Sequence, residues 1–172
     1  MNDGRIAGIK AVILDVDGVL TDGSIYVDAE GKETKRFNVR DGAAIKWLRR
    51  SNFMVAFLSG RTSAAVEARA RQLGVEHVVQ GATEKSPAYE ALREKLGVSD
   101  EEVCYAGDDL HDLPVMRRVG FAVAPADGTG ETRAAAHYVT QARGGEGAVR
   151  ELAEVILKSR GFWETLTARY RK

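Results

Sequence analysis

An apolar run, Ala11-Val12-Ile13-Leu14, ends on Asp15, with a second carboxylate, Asp17, two positions later and Gly18 closing the stretch. A short, continuous apolar run predicts a strand buried on both faces of a parallel sheet. Two acids thus sit where a buried strand opens into a loop, the place where ligands bind in open α/β sheets. One carboxylate is suited to holding a metal ion or attacking phosphorus, and the other to moving a proton. That division of labour points to phosphoryl chemistry.

Three further pieces fall at the ends of predicted strands: Leu58-Ser59-Gly60-Arg61, Lys85, and Gly107-Asp108-Asp109 with Asp112. Each alone has an ordinary reading as a turn or a solvated charge. Together, in a parallel sheet, they converge on one crevice. A phosphate monoester carries about two negative charges at neutral pH, and a carboxylate nucleophile repels it unless cations intervene. Mg²⁺ takes oxygen ligands from one or two carboxylates plus phosphate and water, which Asp15 and Asp108 would supply. Lys85 adds positive charge, and the Ser59 hydroxyl with nearby backbone N–H groups would bond phosphoryl oxygens. An EF-hand is excluded, because counting from Asp15 puts Val19 at position five and Tyr26 at position twelve. No Walker loop occurs, and His77, His111 and His137 show no metal-ligand spacing.

The elements that must position these residues alternate between strand and helix. Ile9–Leu14 reads as the first strand, and Ser24–Ala29 with Lys32–Asn38 as a hairpin about Glu30-Gly31. Asp41 is the expected N-cap of a helix through Arg50. Strands follow at Met54–Leu58, Val78–Gln80, Val103–Ala106, Phe121–Val123 and His137–Val139. Helices are expected over Ala64–Leu73, Pro87–Leu96, Leu113–Val119 and Ala148–Lys158. Ser99 and Glu102 match a capping box. This alternation predicts a three-layer α/β/α, Rossmann-like domain with a mostly parallel sheet, a hairpin insertion after the first strand and no separate cap domain. The tail, with Phe162, Trp163, Leu166 and Tyr170, is either a helix on its own core or a segment that docks on another subunit.

Composition narrows the class. The chain has 172 residues, 44% hydrophobic and 29% charged, with Lys plus Arg 25 and Asp plus Glu 25, so net charge is zero. That suits one domain with a full core and argues against a nucleic-acid or membrane-surface binder. The one cysteine, Cys104, lies in an apolar run and reads as a core residue. No stretch approaches the ~18 apolar residues of a membrane span, and a cytoplasmic location is expected.

Taken together, these pieces resemble the haloacid dehalogenase superfamily of phosphohydrolases. The resemblance implies that Asp15 is the nucleophile, forming an aspartyl-phosphate, and that Asp17 protonates the leaving group and then activates water. It implies that the Asp15 carboxylate, the Asp17 main-chain oxygen and Asp108 hold Mg²⁺, that Ser59 and Lys85 stabilise the transferring phosphoryl group, and that Asp109 and Asp112 support the metal or orient Lys85. Within that resemblance, the presence of Asp17 implies a phosphatase rather than a dehalogenase. Asp-Gly-Val-Leu-Thr-Asp-Gly at 17–23, Phe37-Asn38-Val39-Arg40-Asp41-Gly42, Gly107-Asp108-Asp109-Leu110 and Gly144-Gly145-Glu146-Gly147 are more specific. Over residues 8–158 they resemble the 3-deoxy-D-manno-octulosonate 8-phosphate phosphatase family, which serves lipopolysaccharide inner-core sugar synthesis.

That family resemblance implies substrate binding by Asp17, Asn38, Val39, Arg40, Asp41, Gly42, Lys46, Gly60, Arg61, Arg69 and Lys85. It also implies a homotetramer whose hairpins form a central barrel and whose neighbouring subunit closes each site in place of a cap. The whole of 1–172 would be one phosphatase domain, with a core over 8–158 and a tail over 159–172. Lys46 stands where close relatives often carry Arg, which loses the bidentate fork, and Glu146 where some carry a basic residue. Three alternatives remain: a phosphatase of a nine-carbon keto-sugar acid 9-phosphate, a phospho-accepting signalling module, and a non-catalytic partner of a sugar nucleotidyltransferase. Against the last, Asp15, Asp17 and Asp108 are all retained.

Overall fold

The computed structural model describes residues 4–168 and 171. Six strands form one parallel sheet: β1 (Ala11–Leu14), β4 (Met54–Leu58), β5 (His77–Val79), β6 (Val103–Ala106), β7 (Phe121–Ala124) and β8 (Tyr138–Val139). A separate antiparallel hairpin pairs β2 (Tyr26–Val27) with β3 (Glu33–Thr34). The sheet order is β5-β4-β1-β6-β7-β8. The chain builds outward from β1 to β5 on one side, then returns to β1's other edge and builds outward to β8. The reversal falls at β1, and such a switch point leaves a crevice at the carboxyl ends of the strands it separates.

Strand alternation feeds two cores. Val12 and Leu14 face one side of the sheet, under α1 (Val39–Arg50), α2 (Ala64–Leu73) and α6 (Ala148–Ser159). Ala11 and Ile13 face the other, under α3 (Lys85–Leu96) and α4 (Leu113–Met116). Burial on both faces explains why β1 and β7 are wholly apolar, and β6 apolar but for the Tyr105 hydroxyl, rather than alternating. Cys104 is a fully buried core residue. The three-layer fold and the hairpin insertion are as expected.

Several local expectations are corrected. Asp41 is not the N-cap of α1. Asn38 is, with extended backbone and a side chain that accepts from the Arg40 N–H at 2.7 Å. Asp41 sits inside the first turn, buried, and its carboxylate accepts from the N–H of Arg150 at 2.7 Å and Gly147 at 3.3 Å. It therefore caps α6, more than a hundred residues downstream, a tertiary preference that overrides the local one. The hairpin strands are shorter than expected, because side chains rather than ladder bonds tie the remainder. Tyr26 Oη and Arg36 Nη1 both donate to Asp22 Oδ2, and Asp28 folds the turn by accepting from the Lys32 N–H at 2.7 Å.

The third helix begins at Lys85, with Pro87 inside its first turn, where a missing N–H breaks no intrahelical bond. The expected helix over Leu113–Val119 is a 3₁₀ turn, Leu110–Asp112, running into the short α4. A short helix α5 (Gly130–Ala135), capped by Thr129, and a 3₁₀ turn over Gly4–Gly8 carry no strong sequence signal and were not expected. The Ser99 capping box forms on a 3₁₀ turn, with the Glu102 carboxylate accepting from the Ser99 N–H at 3.1 Å. In the tail, α7 (Trp163–Thr167) packs on this chain's own core: Trp163 meets Trp47 edge-on at 5.7 Å and Phe162 meets Phe53 at 6.0 Å. Tyr170 lies outside the described residues.

Candidate active site

The switch-point crevice gathers the chemistry. Asp15 follows β1 directly, and its N–H continues the ladder to Ala106 O at 2.9 Å. Ser59 follows β4, its N–H held by Val79 O at 2.9 Å. Asp108 comes two residues after β6, and Lys85 opens α3. Main-chain bonds from neighbouring strands thus fix Asp15 and Ser59 before any ligand arrives.

Lys85 is the centre. Its Nζ lies 2.7 Å from Asp15 Oδ1 and 2.5 Å from Asp112 Oδ1, and all three side chains are almost fully buried. Burial opposes the ammonium charge, yet the attraction of Asp15 and Asp112 outweighs it and holds Lys85 above its ordinary value. Asp112 is engaged on both oxygens. Oδ1 also accepts from Tyr105 Oη at 2.5 Å, and Oδ2 accepts the N–H groups of Asp108 at 3.0 Å and Asp109 at 3.2 Å. Asp112 therefore orients Lys85 and shapes the loop that presents Asp108. Asp109 does not share this role, because its carboxylate caps the following 3₁₀ turn by accepting from the Leu110 N–H at 2.7 Å.

Two buried carboxylate oxygens, Asp15 Oδ2 and Asp108 Oδ1, have no hydrogen-bond partner among the described residues. Burial, only partly offset by Lys85, pushes Asp15 up to about 6, and burial with the charges of Asp15 and Asp112 pushes Asp108 up to about 8. Paired, desolvated carboxylates with free oxygens need a cation. An all-oxygen donor set fits a hard ion such as Mg²⁺. Asp15, His111 and Asp112 also bring one ligand atom each within 4.8 Å of one another. That set fits less well, because Asp112 already accepts four hydrogen bonds and His111 is half-exposed. Gly18 explains how the acids come so close. At φ +90°, it lies where a Cβ would stand 2.0 Å from Asp108 Oδ2. Against the same turn, a Cβ at Gly144 would stand 1.7 Å from Gly18 O, so the Gly144-Gly145 loop can press on it only without a side chain.

The remaining site residues divide. Asp17 lies at the crevice, and Lys35 of the hairpin donates to its Oδ1. Lys35 also pairs with Glu33 Oε1 at 3.0 Å, and Glu33 Oε2 meets Arg61 Nη2 at 2.5 Å. A charged chain, Asp17–Lys35–Glu33–Arg61, so ties the hairpin to the loops after β1 and β4. The Ser59 Oγ accepts from the Arg61 N–H at 3.2 Å, shaping the Gly60 turn. Asn38 donates from Nδ2 to Gly145 O at 3.3 Å. Arg69 donates to Asn38 O at 2.9 Å beside Gly42, with its guanidinium 5.6 Å above the Phe37 ring. Val39 and Arg40 are exposed at the start of α1, whereas Asp41 turns inward to α6. Within this chain, Lys46 borders a groove with Arg49, Arg50 and Arg71, two turns along α1 from its site end. Lys35 and Tyr105 are additions the motifs did not reveal. The available signal for Tyr105 was one polar-tipped residue within an otherwise apolar buried strand.

Known proteins share this sequence and fold. The haloacid dehalogenase-like hydrolase family matches residues 36–120. The chain is 46% identical over 163 residues to the 3-deoxy-D-manno-octulosonate 8-phosphate phosphatase KdsC of Yersinia pestis, covering 95% of this chain and 87% of that protein. Its fold matches that of 3-deoxy-D-manno-octulosonate 8-phosphate phosphatase from Moraxella catarrhalis, crystallised with magnesium, phosphate and KDO, with a TM-score of 0.94 and 41% identity over 96% of this chain and 95% of that one. A probable YrbI family phosphatase from Pseudomonas syringae gives 0.95 and 46% over 98% and 96%. The chain belongs to the haloacid dehalogenase-like hydrolases, within the family of the 3-deoxy-D-manno-octulosonate 8-phosphate phosphatases.

Proposed function

We propose that this protein is a Mg²⁺-dependent phosphatase that releases phosphate from 3-deoxy-D-manno-octulosonate 8-phosphate by way of an aspartyl-phosphate. The observation that carries the reading is the pair of unpartnered buried oxygens on Asp15 and Asp108 beside Lys85. Asp15 and Asp108, with the Asp17 main-chain oxygen, would hold the metal. Bound there, Mg²⁺ supplies positive charge against the phosphoryl oxygens.

In the first step a carboxylate oxygen of Asp15 attacks phosphorus, and the ester P–O bond breaks. Asp17 gives its proton to the departing alkoxide, which leaves as the sugar hydroxyl. In the second step Asp17, now ionised, takes a proton from water, and that water attacks phosphorus and releases Asp15. Lys85, held between Asp15 and Asp112, leaves little freedom in the attacking carboxylate and offers positive charge to the developing phosphorane-like oxygens. Ser59 adds a hydroxyl at the same end of the neighbouring strand. Arg61 and Arg69 would recognise the sugar carboxylate by planar, paired hydrogen bonds, with Arg40 a further substrate contact.

We further infer that 1–172 acts as one catalytic unit in the cytoplasm and assembles as a homotetramer through the hairpin. Ile25, Tyr26 and Val27 expose 58%, 42% and 58% of their surface beside the crevice, an apolar strip that a neighbouring subunit would cover. No helix among the described residues is long and apolar enough to cross a membrane.

Phosphate release tests the assignment. With Mg²⁺, the octulosonate ester is expected to be hydrolysed far faster than a nonulosonate 9-phosphate, hexose phosphates or an aryl phosphate, and Asp15→Asn to be inactive. Preference for the nine-carbon ester moves the substrate assignment, and release from none of them overturns the enzymatic reading.

A further inference from the structure

Lys35 is a charged side chain that lies 2% exposed although it belongs to a two-stranded hairpin whose apolar residues are open to solvent. Its ammonium reaches eighteen positions back along the chain to Asp17 Oδ1, and it is flanked on the other side by Glu33. Nothing in the aspartyl-phosphate chemistry requires a cation on Asp17. A lysine buried in this way has given up most of its rotamer freedom and hydration, so the pairing fixes where the Asp17 carboxylate lies.

We propose that Lys35 is a positioning residue for Asp17. It takes Oδ1 and thereby turns Oδ2 toward the oxygen of the departing alcohol. Glu33, itself anchored by Arg61, holds Lys35 from behind. The hairpin then works on the reaction from within its own chain: it sets the direction along which the proton is delivered. This rests on the assignment of Asp17 as the acid/base group.

The ester dependence of kcat/KM reads this role. That parameter covers only events up to departure of the leaving group, and a poor leaving group such as a sugar alkoxide needs the proton, whereas an aryl oxide such as 4-nitrophenolate scarcely does. Asp17→Asn is the benchmark and is expected to lose far more on the sugar ester than on 4-nitrophenyl phosphate. Lys35→Met is expected to follow the same pattern, losing at least about ten-fold more kcat/KM on the sugar ester than on the aryl ester, within the range general acid catalysis supplies. Lys35→Arg, which keeps a cation and donors, is expected to restore most of the difference. Equal losses on both esters would show a merely structural hairpin lysine and overturn the proposal, as would no loss at all. If Asp17→Asn itself fails to separate the two esters, the acid/base assignment falls and this inference falls with it, while hydrolysis by the wild-type protein still reports separately on the substrate assignment.

Discussion

Four hydrogen bonds converge on the Asp112 carboxylate, and their donors explain why its neighbours are free to react. With Asp112 saturated, the uncompensated negative charge of the site falls on Asp15 and Asp108, the two acids whose remaining oxygens face no donor. This gives a signed prediction. Folding raises Asp15 to about 6 and Asp108 to about 8 from an ordinary 3.8. The stability contribution of such raised groups is present below the ordinary value and is lost as pH climbs through the raised ones. Mg²⁺ requires both acids ionised and removes their mutual penalty. The Mg²⁺-induced rise in Tm, followed by thermal melting, is therefore expected to be larger at pH 8 than at pH 6, and to disappear in Asp108→Asn. A shift independent of pH would contradict the placement of the metal on these two carboxylates. At this scale the sequence was most legible where an acid, hydroxyl or lysine followed a strand, because strand ends determine direction. Lys35 was not legible, because its meaning depends on the hairpin folding back over Asp17, and no local spacing records that.

Among elements, the clasp between α1 and α6 carries the clearest lesson. Asp41 has the residue type, position and spacing of an N-cap, yet Asn38 caps α1 and Asp41 caps α6. Burial raises Asp41 above its usual range despite the N–H groups of Arg150 and Gly147, so its bonds are made in a dry setting where losing them is costly. Asp41→Ala is expected to destabilise the fold by about 2–3 kcal/mol, seen as a lower urea midpoint with an unchanged m-value. A loss under about 0.5 kcal/mol, the scale of surface substitutions, would contradict the clasp. The long strands and helices were legible from period and caps. The ends of the hairpin, the 3₁₀ turn before α4 and the short α5 were not, since side-chain anchors such as Asp22 and Thr129, rather than periodicity, set them.

For the molecule as a whole, the switch in strand order makes the crevice, and with no cap domain among the described residues it is open to water, a poor setting for phosphoryl transfer. The exposed strip on the hairpin offers a way to close it by assembly. Sedimentation is expected to give a tetramer for the wild-type protein and a smaller species for Val27→Glu, with phosphatase activity falling in step. A monomeric wild-type protein with full activity would remove the need for a neighbour. The three-layer architecture was legible from alternation alone. The tetramer rests on the family resemblance, because apolar residues on a short hairpin read equally as strand faces packed inward.

The mechanism turns on phosphorylation of Asp15. Quenching the steady-state reaction with acid, reducing with borohydride and sequencing peptides by mass spectrometry tests it directly, because an acyl phosphate is reduced where a free carboxylate is not. Homoserine is expected in place of aspartate at position 15, dependent on Mg²⁺ and substrate, and more of it in Asp17→Asn given 4-nitrophenyl phosphate, whose leaving group scarcely needs the proton while water is no longer activated. Unmodified Asp15 in an enzyme that is turning over, with no reduced residue in that variant either, would mean that water attacks the ester without a covalent intermediate and would contradict the mechanism.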